Sequence, residues 1–189
     1  MVSQSVCFPK PFPKPFVSFL LQLLSSSNII MGGKKRAEQF FEAVQDGNTH
    51  RVQSLLYKVG ANTHNGHFRK TALHMAAEAW PWAAHMDIVR LLLDAAADPS
   101  QRDRQGMTPL LTAAQRGNTG IVQLLLDAAA DPNIWYTPHT SFSMGIDRTE
   151  IVLAEGTPLL TAADYGHTDI ARLLLSAAAD PDSPDSWGR

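Results

Sequence analysis

The clearest pattern in the chain is an apolar block that occurs three times. It reads Ile88-Val89-Arg90-Leu91-Leu92-Leu93, then Ile121-Val122-Gln123-Leu124-Leu125-Leu126, then Ile170-Ala171-Arg172-Leu173-Leu174-Leu175. A shorter counterpart, Val52-Gln53-Ser54-Leu55-Leu56, stands upstream. A single polar position among apolar ones predicts a helix buried on most sides, which one helix pair cannot cover and stacked neighbours must. Each full block runs into an alanine triplet (Ala95-Ala96-Ala97, Ala128-Ala129-Ala130, Ala177-Ala178-Ala179) and then into Asp-Pro. Recurrence of that kind marks a repeat architecture.

A second helix is predicted ahead of each block. The third unit carries Thr108-Pro109-Leu110-Leu111-Thr112-Ala113-Ala114-Gln115-Arg116-Gly117, and the fourth Thr157-Pro158-Leu159-Leu160-Thr161-Ala162-Ala163-Asp164-Tyr165-Gly166. The second unit has Thr71-Ala72-Leu73-His74-Met75-Ala76-Ala77, and the first keeps the register as Phe40-Phe41-Glu42-Ala43-Val44-Gln45-Asp46-Gly47. Thr108 and Thr157 suit a helix N-cap, with proline in the first turn where no amide hydrogen is needed. The Ala-Ala pair permits close helix approach, and Gly47, Gly117 and Gly166 stop the helix because glycine enters the left-handed region without a Cβ conflict.

Threonine-proline-leucine, paired alanines, Gly-His, Ile-Val, a leucine triplet and an Asp-Pro-Asn turn recur in one order, and the chain resembles the ankyrin repeat over residues 37 to 189. The resemblance implies an all-α fold: a solenoid of stacked helix-turn-helix units with β-turn fingers. The units are placed at 37–65, 66–102, 103–151 (with a long finger insertion at its end) and 152–182, and 183–189 begin a partial repeat. It also implies a protein-binding role through finger tips and the first-helix face. Carried onto matching positions, this nominates Arg102, Arg104, Gln105 and Met107, then Gln115 with Arg116, Asp164 with Tyr165, and Glu78. His74 falls at the family's structural histidine position, expected to bridge backbone groups between repeats.

Departures from the pattern customise the surface. Thr71 to Thr108 spans 37 residues and Thr108 to Thr157 spans 49, against a family period of about 33. The first excess is assigned to a connection around Trp80-Pro81-Trp82-Ala83. The second lies within 134–155 and brings Trp135, Tyr136, Phe142 and Met144; aromatic side chains of this kind anchor interfaces, or they cover the exposed backs of neighbouring helices. A third departure is alanine (Ala96, Ala129, Ala178) where the family has glycine after the second helix. Left-handed angles there would cost about 1 kcal/mol each, so a rebuilt helix end is expected instead. The last segment, Asp180 to Arg189, stops just short of another Thr-Pro, leaving two readings: a piece of a longer array, or Trp187 folded back over open apolar surface.

Residues 1–36 are a different material, read as an extension without fixed structure. FPKPFPKPF at 8–16 excludes a helix and contains no PxxP pair. FVSFLLQLL at 16–24, followed by three serines, resembles a weak secretory signal and is too short to span a bilayer. Met31-Gly32-Gly33-Lys34-Lys35-Arg36 departs from a myristoylation motif at Arg36.

Composition narrows the function classes. The 189 residues hold sixteen basic and eighteen acidic side chains, for a net charge of −2. No basic stripe follows from that balance, so nucleic acid is not expected as a partner. The one cysteine, Cys7, can form neither an internal disulfide nor a cysteine-rich zinc site. His64 and His67 have no third ligand at a fitting spacing, since His74 falls at the structural histidine position. No GxSxG, phosphate-binding loop or HExxH occurs. The expectation is a non-enzymatic, cytoplasmic adaptor or inhibitor that binds a protein. No cofactor, metal, small-molecule substrate or membrane association is expected. The alternative is a targeting or regulatory segment of a larger enzyme or channel.

Overall fold

The computed structural model describes residues 32–80, 82–136 and 156–183. Contacts divide the chain into two compact units, 1–35 and 36–189, and the second carries the repeats. Residues 32–45 are helical (α1). There follow α2 (Thr49–Val59), a two-residue hairpin pair β1 (His64–Asn65) and β2 (Lys70–Thr71), α3 (Ala72–Glu78), α4 (Trp82–Asp94), α5 (Pro109–Arg116), α6 (Thr119–Asp127), α7 (Pro158–Asp164) and α8 (Thr168–Ser176). First helices stack on first helices, α3 on α5 and α5 on α7, while α2, α4, α6 and α8 stack in a second layer. The fold is an all-α solenoid of four stacked helix pairs.

Local chemistry sets the helix ends. Thr108 Oγ1 accepts from Leu111 N and Thr157 Oγ1 from Leu160 N, each at 3.3 Å. Gly117 at φ 77 ends α5, its N–H reaching the Ala113 and Ala114 carbonyls. The paired alanines are the contact between first helices: Ala76, Ala77, Ala113 and Ala114 have no exposed surface. Ile88, Leu92, Ile121, Leu125, Ile170 and Leu174 fill the space between layers.

The position four residues before Val52, Val89, Val122 and Ala171 alternates between two devices. Asn48 and Asn118 cap their helices, accepting from Arg51 N and Ile121 N. His85 and His167 occupy the same place and reach back to the preceding unit, with Nε2 2.9 Å from the Val44 carbonyl and 3.2 Å from the Gln115 carbonyl.

Two expectations are corrected. The four-residue excess in the second unit is not a surface connection. The helix α4 starts at Trp82 and has 13 residues where α6 and α8 have 9 each. Four residues are about one turn, so the excess is absorbed as an added turn that keeps the rest of α4 in register. The alanines are the second correction. Ala96, Ala129 and Ala178 adopt φ of 58, 59 and 62, so the helix end is not rebuilt. Each sits in a paired hydrogen-bond motif: Ala96 N to Leu93 O and Ala97 N to Leu92 O, both 2.9 Å, with the same pattern at Ala129-Ala130 and Ala178-Ala179. Those bonds satisfy the last helix carbonyls. Burial of Ala97, Ala130 and Ala179 holds the turn. Two side-chain brackets reinforce it: Asn62 spans the Ala96 carbonyl and Asp98 N–H, and Asn133 the Ala178 carbonyl and Asp180 N–H.

The strain is therefore stored three times. Replacing all three alanines with glycine is expected to stabilise the array by about 2 kcal/mol, the relief of left-handed strain exceeding glycine's greater unfolded entropy. Sites this far apart in sequence and repeat act independently. A Tm rise of about 6 °C in a circular-dichroism melt is the expected reading; an unchanged or lower Tm would show that the alanines are unstrained.

In the fourth unit, Leu159 and Leu160 are half-buried where their counterparts Leu110 and Leu111 are fully buried, and Leu175 is exposed. Trp187 lies outside the described residues, as do Cys7, Phe142, Met144 and the sequence signals placed in residues 1–31.

Candidate functional site

The fingers and first helices enclose a groove of about 320 Å³ that runs across the second, third and fourth units. Its floor comes from the C-terminal ends of α3, α5 and α7, because capping by Thr71, Thr108 and Thr157 fixes where each helix starts and hence which residues face the fingers. The groove brings together Glu78, Gln105, Met107, Gln115, Arg116, Tyr136 and Tyr165 from the positions named by sequence. Arg104 lies instead at the finger tip, and Arg102 just before the closing pair Asp103–Met107, its Nη1 donating to the Gly106 and Trp135 carbonyls. Asp164 is exposed on the last turn of α7 and does not line the groove, and Trp135 is half-buried beside Tyr136.

Glu78 is the electrostatic centre. Its carboxylate accepts from Lys70 Nζ at 2.5 Å and from Arg116 Nη2 at 2.9 Å. Burial alone raises its pKa, and the hydrogen bonds and charges of Lys70 and Arg116 outweigh that, holding the carboxyl below its ordinary value. Asp103 is turned inward. Its Oδ1 accepts from Gln105 N at 2.8 Å and Met107 N at 3.0 Å, shaping the finger rather than facing a ligand. Two cations and two carboxylates thus cancel within the groove. Gln115 Nε2 donates to the Tyr165 hydroxyl at 3.0 Å, and the Tyr165 ring stacks on His167. This fixes one phenol at the mouth.

The long finger closes at its base. Tyr136 and Gly156 exchange both backbone hydrogen bonds at 3.0 Å. They stand where Asp103 and Met107 stand in the preceding finger, and Tyr136 forms part of the groove wall. A second depression of about 340 Å³ shares Glu78 and extends past Met75 and Ala79 to Gln45 and the exposed Trp80.

Sequence reasoning missed Lys70, Asp103, Thr112 and Thr161. A signal existed for Lys70, which precedes Thr71 as Met107 precedes Thr108. Thr112 and Thr161 lie one turn into their helices, each hydroxyl donating back to the capping threonine's carbonyl; only the stacking shows that they face the groove. His74 performs the bridge expected of it: Nδ1 accepts from the Thr71 N–H at 3.2 Å, and Nε2 donates to the Met107 carbonyl at 2.9 Å. Among the described residues no group of three or more His, Cys, Asp or Glu could hold a metal ion, and no helix is long and apolar enough to cross a membrane.

Comparison with known proteins places this geometry. The 2-5A-dependent ribonuclease of Mus musculus is 42% identical over 73 residues, a match covering 38% of this chain and 9% of that protein. The chain thus matches under a tenth of that relative's length. A family model described as Ankyrin repeats (3 copies) matches residues 40–134, and one described as Ankyrin repeat matches 156–186. Stacked helix pairs, fingers and these matches agree, and the chain belongs to the ankyrin-repeat family, whose repeats are protein-interaction modules.

Proposed function

We propose that the chain acts as an adaptor or inhibitor that holds a protein partner in the groove and against the finger tips, without catalysis of its own. The observation that carries this reading is convergence. Lys70 and Glu78 of the second unit, Gln105, Met107, Gln115, Arg116 and Tyr136 of the third and Tyr165 of the fourth line one concave surface. Its mixture of amide, thioether, guanidinium and phenol suits protein recognition, and its cancelled charges do not suit a phosphate. The name of the mouse relative makes that protein's activity depend on 2-5A. Here Lys70 and Arg116 are already engaged with Glu78, which favours a protein over an anionic small ligand.

A second reading is favoured by the size of that relative. The matching stretch is 9% of an enzyme, so an array like this one can serve as the regulatory or targeting part of a larger protein.

The substitution pair Arg104→Ala with Arg116→Ala tests the surface. Both side chains are exposed, and an exposed ion pair contributes about 0.2–1 kcal/mol, so the melting temperature should stay within about 3 °C. Affinity capture from cell extract with quantitative mass spectrometry should show partner recovery falling severalfold. Equal recovery by both proteins would remove this face from consideration.

A further inference from the structure

The finger tips carry a charge pattern that the groove does not. Arg69 and Arg104 at the tips, and Arg102 beside the closing pair of the second of these fingers, are all exposed, and among the described residues none of them forms an ion pair with a carboxylate. The one acid in the row, Asp103, is buried and spends its Oδ1 on two backbone N–H groups. The tips are also tied to one another. Arg104 N donates to the Phe68 carbonyl at 2.8 Å, and Arg104 Nη1 lies 3.5 Å from the His67 carbonyl. Arg102 Nη1 donates to the Trp135 carbonyl at 3.0 Å. These contacts use one nitrogen, Nη1, of the Arg102 and Arg104 guanidiniums, and each fork has further donors to offer a ligand. Beside them Phe68 is 61% exposed. Arg69 is held at φ 53, in a conformation glycine would adopt without steric conflict, so the turn alone gives no reason for an arginine.

We propose that this row docks an acidic peptide segment of the protein partner. Its carboxylates would pair with Arg69, Arg102 and Arg104, and an apolar side chain would lie on Phe68. The proposal rests on the groove reading for the existence of a protein partner and adds that partner's chemistry. Carboxylates pair with guanidinium in a planar, two-bond geometry, and the forks of Arg102 and Arg104 are each anchored at one nitrogen. A polyphosphate fits less well. Three guanidiniums on two loops form no continuous track, and the groove cations are held by Glu78, whereas a polyanion needs a run of free cations.

The test is selection of a random peptide library on the full chain, followed by fluorescence-anisotropy titration of the enriched peptides. The expected result is enrichment of Asp and Glu, with affinity falling as sodium chloride rises. R69Q/R102Q/R104Q should weaken binding about tenfold, and R69K/R102K/R104K should recover part of it. Circular dichroism checks that each variant folds. Glu-to-Gln and Asp-to-Asn changes in the peptide must reproduce the loss on the unaltered chain, so a misfolded variant cannot decide the outcome. Enrichment of neutral or basic peptides, insensitive to the triple substitution, overturns the proposal and leaves the groove reading standing. Failure to enrich any peptide counts against both. Displacement of the enriched peptide by single-stranded RNA at lower concentration than by the unlabelled peptide would make the row a nucleic-acid site and overturn the proposal.

Discussion

His74→Ala is expected to destabilise the array by about 3 kcal/mol, because it removes a buried side chain and strands the two backbone groups that it joins. The ring has no exposed surface. It accepts from Thr71 N within its own helix start and donates to the Met107 carbonyl at the end of the next finger. A carbonyl only accepts, so Nε2 carries the proton and Nδ1 is the acceptor, and the ring must be neutral. Burial is the largest influence and lowers its pKa below the ordinary 6.5, against smaller raising effects from the Met107 bond and the Asp103 charge. The sign follows. The unfolded chain binds this proton more readily than the folded one, so stability is full above about pH 6.5 and falls as pH drops below it toward the folded pKa. Glu78 adds a loss of the same sign at lower pH. Its folded carboxyl lies below the ordinary 4.5, so its contribution is present above that value and lost beneath it. Urea unfolding from pH 8 to pH 5 should show the first slope in the unaltered chain and not in His74→Gln. Glutamine offers an oxygen to accept from the Thr71 N–H, as in a capping box, and an amide N–H to donate to the Met107 carbonyl, without titrating. If His74→Gln keeps the slope, another group is responsible.

Gly117→Ala is expected to cost about 2–3 kcal/mol and to loosen the fourth unit first. Glycine is required there twice over. The backbone sits at φ 77, and a Cβ would lie 2.7 Å from the His167 ring. Left-handed backbone accounts for about 1 kcal/mol. Displacing the ring loses its bond to the Gln115 carbonyl at 3.2 Å, about another 1 kcal/mol, together with its stacking on Tyr165. Gly166→Ala is the internal control: φ is 73, but nothing lies within 4 Å of the added carbon, so only the backbone share applies. In a solenoid the damage should stay at the seam it affects. Hydrogen exchange should speed up in α7 and α8 before α3 and α4. Equal losses for Gly117→Ala and Gly166→Ala would mean that the His167 ring yields freely.

Much of the site was legible because a repeat constrains position. Once Thr108 and Thr157 are read as caps, Gln115 and Tyr165 must follow at the ends of their first helices, and both line the groove. The same rule applied to Lys70 would have found it. Arg102, Arg104 and Asp164 show the limit. Register places a residue on an element, but whether its side chain turns into the groove or along the finger tips depends on neighbours such as the Trp135 carbonyl, which come from other units. Asp103 shows the converse, a carboxylate that position alone would offer to a partner and that the finger's own N–H groups consume.

The sequence by itself determined the repeat, the number of helix pairs, the caps and the stopping glycines, since these rest on local periodicity and on backbone preferences within a few residues. Tertiary structure decided what local preference cannot weigh. It turned the four-residue excess near Trp80 into a helical turn, since continuing α4 keeps its apolar face in register with α2 and α6. It also held three alanines in left-handed conformations, because paired carbonyl bonds and burial of the next alanine outweigh the steric conflict. Charge was decided the same way: Glu78 collects Lys70 and Arg116 from two other elements, leaving the groove neutral and the finger tips basic.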